Sequence, residues 1–164
     1  MTFRVTSQLI GCQAIATTST TKQHALGTII TAEDPTLGVG EFIYLTGVGS
    51  TVVGSIVNYD NNFQTALDTS ATAGPSCPLA VAMSANVASS YGWYQISGLA
   101  VATKANTVSF ADGAGLGATA GLAVAVATGT VIQSAIVRTV ASAKSNVTTV
   151  AIAINRPHDP SDVS

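Results

Sequence analysis

Apolar residues in this chain fall in short blocks that alternate with clusters of Gly, Pro, Asn and Asp. That spacing is the signature of successive β-strands rather than helices. The blocks predict strands over 42–45, 51–59, 79–83, 93–96, 99–103, 107–111, 122–131, 135–141 and 147–154. Pro75 and Pro78 cannot sit inside a central strand, so they mark the start of the block that follows them. Asp112-Gly113 and Ser145-Asn146 stand where hairpin turns are expected. The only helical candidate is 84–90, one or two turns that Ser84 or Asn86 could cap.

Several of these blocks alternate large with small rather than apolar with polar. Leu79, Val81 and Met83 alternate with Ala80 and Ala82, and Leu99 and Val101 with Ala100 and Ala102. The same holds for Val124 and Val126 among Ala123, Ala125 and Ala127, and for Val150, Ile152 and Ile154 around Ala151 and Ala153. A strand with one wet face would place polar residues at every second position. The expected arrangement is therefore large residues in the core and alanine faces meeting another layer or subunit. Segment 42–45 agrees, because Phe42 and Tyr44 share one face, Ile43 and Leu45 the other, and neither is polar.

The ends read differently. Residues 1–25 form an extended polar arm around the run Thr17-Thr18-Ser19-Thr20-Thr21, residues 26–155 a single β domain, and 156–164 a proline-containing tail. The first ten residues contain no apolar signal-peptide core, which leads to the expectation of folding in the cytoplasm.

Composition narrows the functional classes. Charged residues make up 9% of the 164, against roughly 25% in ordinary soluble domains. Six cationic side chains cannot build a phosphate-neutralising stripe, so no nucleic-acid partner is expected. The uncharged stretch 113–137 is interrupted by five glycines and is not continuously apolar, so no membrane span is expected either. Cys12 and Cys77 are too few for a disulfide framework and are expected reduced and buried, with a single bridge as the alternative.

Catalytic and cofactor motifs fare poorly. Gly113-Ala114-Gly115-Leu116-Gly117-Ala118 matches a dinucleotide fingerprint, but no acidic residue follows before Asp159 to hold a ribose. It reads as a glycine-rich turn. His24 and His158, the only imidazoles, lie in the arm and tail, where a catalytic triad is hard to hold. With Cys12 and Cys77 they match no metal-ligand spacing. Glu33-Asp34, and Asp60 with Asp68, read as loop chemistry. No enzyme, cofactor or metal is expected. Tyr91 and Trp93 share a strand face that could stack on a sugar or pack in a core or interface. Asn146-Val147-Thr148 fits the glycosylation sequon but has the chemistry of a turn.

Two longer stretches carry a family likeness. Leu26-Gly27-Thr28-Ile29-Ile30 with Asp34-Pro35-Thr36-Leu37-Gly38-Val39-Gly40-Glu41-Phe42-Ile43-Tyr44-Leu45-Thr46-Gly47-Val48 resembles small structural proteins of tailed bacteriophages. Pro78-Leu79-Ala80-Val81-Ala82-Met83 and Tyr91-Gly92-Trp93-Tyr94-Gln95-Ile96-Ser97-Gly98 continue the likeness, which spans about 25–155. The group is the head decoration, or cement, proteins. The resemblance implies an all-β sandwich or small barrel, often trimeric, that sits on the outer surface of the phage head and bridges major capsid subunits. It brings no catalytic residues. Phe42, Tyr44, Tyr91 and Trp93 are the interface candidates. The alternatives are a tail-tube, connector or fibre-base subunit, and a carbohydrate-binding β module using Tyr91 and Trp93.

Overall fold

A computed structural model of the chain describes residues 3–6, 11–69, 77–106, 108–126, 131–138 and 148–159. Eleven strands are found among them: β1 (Arg4–Val5), β2 (Ile29–Asp34), β3 (Gly38–Thr46), β4 (Ile56–Tyr59), β5 (Thr65–Leu67), β6 (Leu79–Ala82), β7 (Tyr91–Thr103), β8 (Leu116–Thr119), β9 (Leu122–Ala125), β10 (Gln133–Val137) and β11 (Thr149–His158). Nine form one sheet, whose order β1-β2-β3-β7-β6-β4-β5 is extended by β11 on β7 and β10 on β11. The hairpin β8–β9 is a separate small sheet. All named strand pairs are antiparallel. The all-β expectation holds, and the arrangement is that of a β-sandwich.

The 13-residue β7 organises the molecule. Its first half pairs with β3, from Thr46↔Tyr91 to Phe42↔Gln95, and with β6 at Ala82↔Tyr94 and Val81↔Gln95. Its second half pairs with β11, from Asn155↔Ser97 to Thr149↔Thr103. Ser97 pairs with both Glu41 and Asn155, so β3 and β11 flank β7 on opposite edges. Gly98 sits at the joint with φ +100, and a Cβ there would lie 2.5 Å from the Val39 carbonyl oxygen. Only glycine fits both demands.

Three apolar clusters follow from this topology. Phe42, Tyr44 and Trp93 pack with Ile15, Ile30, Ala32 and Met83 on one face of β3 and β7. Ile43, Leu45, Tyr94 and Ile96 pack with Val57, Ala80 and Ala82 on the other. The largest cluster lies where β8–β9 cover the sheet, joining Leu116, Ala118 and Ala123 to Ala100, Ala102, Val150, Ile152 and Ile154.

Several elements depart from the sequence pattern. Blocks 93–96 and 99–103 form one strand, because the Gly98 joint lets the chain bend without breaking its ladder. Segment 107–111 forms no strand among its described residues. The buried Lys104 ammonium donates to the Val108 carbonyl at 3.0 Å, which holds that segment as a loop. Segment 84–90 contains no helix. Asn86 is fully buried and donates to the Tyr94 hydroxyl at 3.0 Å, a contact a solvent-facing helical turn would forfeit. The glycine-rich run at 113–118 is a turn only at its start, since β8 begins at Leu116. β1, β2, β5 and β8 have no counterpart among the expected strands, and β4 starts at Ile56 rather than at 51. β11 extends to His158, three residues into the expected tail.

The arm is fastened to the body among its described residues. β1 pairs with β2, Ile15 is buried, and Ser19 and Tyr91 exchange backbone hydrogen bonds. Cys12 and Cys77 are unbridged and only half-buried. The Ser145-Asn146 turn, the sequon asparagine, residues 127–130 and 139–141 of two predicted strands, and residues 160–164 lie outside the described residues.

Candidate functional site

The four interface candidates come together as one aromatic cluster. Tyr44 and Trp93 are directly paired across β3 and β7, with ring centroids 5.0 Å apart in an edge-on arrangement. Phe42 lies two residues along β3 and meets Phe3 at 4.9 Å, while Tyr91 stacks on Tyr44 at 6.5 Å. Alternation along a strand places 42 with 44 and 91 with 93, so the cluster follows from period-two geometry and the observed register.

What covers the cluster is the chain's own arm. Gln13 is its fastener: its backbone carbonyl accepts the Trp93 indole N–H at 2.9 Å, and its side-chain oxygen accepts the Tyr44 hydroxyl at 2.9 Å. The Gln13 backbone N–H donates to His24 Nε2 at 3.1 Å, and the His24 ring lies 5.1 Å from Tyr44 and 5.4 Å from Trp93. The Tyr44 hydroxyl also accepts the Gln23 N–H at 3.3 Å. Burial is the main influence raising the Tyr44 hydroxyl's pKa, with Gln23 opposing it. Phe42, Tyr44 and Trp93 are each 0% exposed, and Tyr91 is half-buried. Trp93 therefore offers no open face to a sugar ring.

The second half of β7 is different. Its register with β11 sets Ile152 against Ala100 and Val150 against Ala102 on the core face. On the outer face Leu99 lies against Ala153 and Val101 against Ala151, and Ile136 of β10 continues the first row beside Ala153. Here the expectation that large residues point inward is reversed for β7 and β9. Ala100, Ala102 and Ala123 are buried, whereas Leu99, Val101, Leu122 and Val124 are half-buried. β11 keeps the expected sense, with Val150, Ile152 and Ile154 buried. Large residues on one strand thus fill the space left by alanines on its neighbour, a close-packed solution that hydrophobicity alone does not orient. For β6 the second packed face is supplied within the chain, since Ala80 and Ala82 lie among Tyr94, Ile43 and Leu45.

The outer face of β7, β11 and β10 is a two-row surface of apolar side chains, with an exposed cation at its β10 edge, Arg138, whose backbone N–H donates to the Ala151 carbonyl at 2.7 Å. Thr103 and Thr149 bound it on one side, and Ser97, Asn155 and the Arg156–Glu41 ion pair on the other. Ile136 is 38% exposed. Next to it runs a shallow groove of about 410 Å³ lined by Gly115, Val131, Gln133, Ser134, Ile136 and Ala153, among others.

Sequence reading paired Asp60 with Asp68, and the structure separates them. Asp60 is an exposed turn former whose carboxylate accepts the Asn62 and Gln64 N–H groups, which lower its pKa. Asp68 is instead buried against Asp159, 91 positions away. No spacing rule links those two residues; only the sheet order brings β5 and the end of β11 together. Among the described residues no group of three potential metal ligands is found. No helix there is long and apolar enough to cross a membrane.

Comparison with protein-family models, curated proteins and solved structures gives no match for this chain.

Proposed function

We propose that this chain is a structural virion protein of the capsid decoration type. In this reading it acts as a homo-oligomer, a trimer, on the outer surface of a phage head, where it bridges major capsid subunits. It performs no catalysis and is made in the host cytoplasm. The observation that carries the reading is the row-patterned apolar patch of Leu99, Val101, Ala151, Ala153 and Ile136 on the outer face, with Arg138 as the charge at its β10 edge. An apolar sheet face of small and large rows suits close packing in a lattice, where identical copies would otherwise set like charges against one another. The stretches that resemble decoration proteins point the same way.

Co-sedimentation with intact heads tests the proposal. A fixed ratio near one copy per capsid subunit supports it, whereas a dozen copies or fewer per particle assigns the chain to the neck or tail. A trimer in solution fits decoration, and a closed hexameric ring fits a connector or tail tube. Attachment through apolar burial and backbone hydrogen bonds should resist a wash in about 1 M salt, where the screening length is only about 3 Å. Release of the protein by that wash would refute the proposed mode of attachment.

A further inference from the structure

Asp68 and Asp159 are brought together at the place where β5 and β11 end. Asp68 follows β5, its N–H donates to the Ile56 carbonyl of β4 at 3.0 Å, and its carbonyl accepts the Gly121 N–H of the β8–β9 turn at 2.8 Å. Asp159 follows β11, and its N–H donates to the Cys77 carbonyl at 3.0 Å. A bulge in the β10–β11 ladder between Gln133 and Ala135, with Arg156 at φ +50, precedes the contact of His158 with Pro78. The Asp68 side chain is 1% exposed, and a long 3.4 Å hydrogen bond from the Asn58 amide is its neutral support. The Asp159 carboxyl group is its neighbour, and with Asp68 buried, a proton held between the two avoids setting like charges side by side.

We propose that Asp68 and Asp159 form a proton-held clasp that fastens the C-terminal end of β11 to β4 and β5 and loosens as the pH rises through neutrality. Among the described residues, the groups around the pair are few. β4 contributes Asn58, the β8–β9 turn contributes the Gly121 backbone and no ionisable side chain, and Cys77 contributes its carbonyl. On β11, His158 stabilises the Asp159 carboxylate, while the Arg156 guanidinium is engaged 3.1 Å from Glu41. Burial first, and then the Asp159 charge, lift the Asp68 carboxyl to about 7. The folded state thus holds this proton more tightly than the unfolded chain, whose carboxyls titrate near 4. The resulting stability is complete below about pH 4 and is lost as the pH climbs to about 7.

Thermal unfolding and amide exchange test the clasp in the full chain. Between pH 5 and pH 8 the wild-type Tm is expected to fall by about 5 °C or more. Over the same range, the protection factor of the Asp159 amide, corrected for intrinsic exchange, should fall about tenfold. Asp68→Asn supplies a permanent N–H in place of the shared proton, so it should hold both readouts nearly flat. If that variant fails to fold, Asp159→Asn serves the same purpose. A wild-type protection factor unchanged with pH, or a variant that keeps the full pH dependence, would overturn the proposal. So would recovery of the pH 8 protection on adding millimolar calcium or magnesium, which would make the pair a cation site instead.

Discussion

Along β7, residues from Gly92 to Ile96 are buried on both faces, whereas Leu99 to Thr103 are buried on one. The first half carries Trp93 and Tyr94, whose rings extend too far from the sheet to be left uncovered, and the arm and β4–β6 supply the two covers. The second half alternates alanine with leucine and valine, so its core face fits closely against Val150 and Ile152 while its outer face stays open. One strand thus shows two uses of apolar sequence: large aromatic groups specify intramolecular closure, and small-and-large rows leave a flat surface available to a neighbour.

The largest test of this contrast is Trp93→Ala. Deleting a fully buried indole removes its packing and leaves the Gln13 carbonyl without its donor, so chemical denaturation should show a loss of about 4 kcal/mol. A loss below about 1 kcal/mol would mean that the arm does not close the aromatic half. Gly98→Ala sharpens the boundary between the halves. A side chain at φ +100 facing the Val39 carbonyl should cost about 2–3 kcal/mol, measured in the same way. Leu99→Lys should have the smallest effect on the isolated subunit, within about 0.5 kcal/mol, because its side chain is already half in water. The same substitution should abolish attachment to heads in the co-sedimentation measurement. If Leu99→Lys instead destabilised the subunit as much as Trp93→Ala, the open-face description would be wrong.

Strand positions with unbroken apolar runs were legible. Block 79–83 matches β6 closely, and 42–45 and 147–154 fall on β3 and β11, although β3 begins four residues earlier and β11 runs four residues further. The orientation of the alternation was not legible, since Leu99 and Ala100 are both apolar and only the register with β11 decides which faces inward. β8 was masked by its glycines, which read as turn residues although Gly117 pairs with Val124 within the hairpin. The four aromatic residues were singled out as an interface, whereas they gather in a cluster that the chain's own arm covers, and that cover was not legible. The arm is held by Gln13, His24 and backbone groups, and polar contacts of that kind leave no hydrophobic period to detect. Asp68 and Asp159 escaped for a similar reason, since separations of that length become contacts only through topology.

Trp93 is the only tryptophan in the chain, and its indole lies under Gln13 and 5.4 Å from the His24 ring. The protein therefore carries an intrinsic optical gauge of whether its arm is seated. Lifting the arm would admit water to the indole and move its emission to longer wavelength. The seated and displaced forms can thus be told apart in unlabelled protein, without altering any residue of either surface.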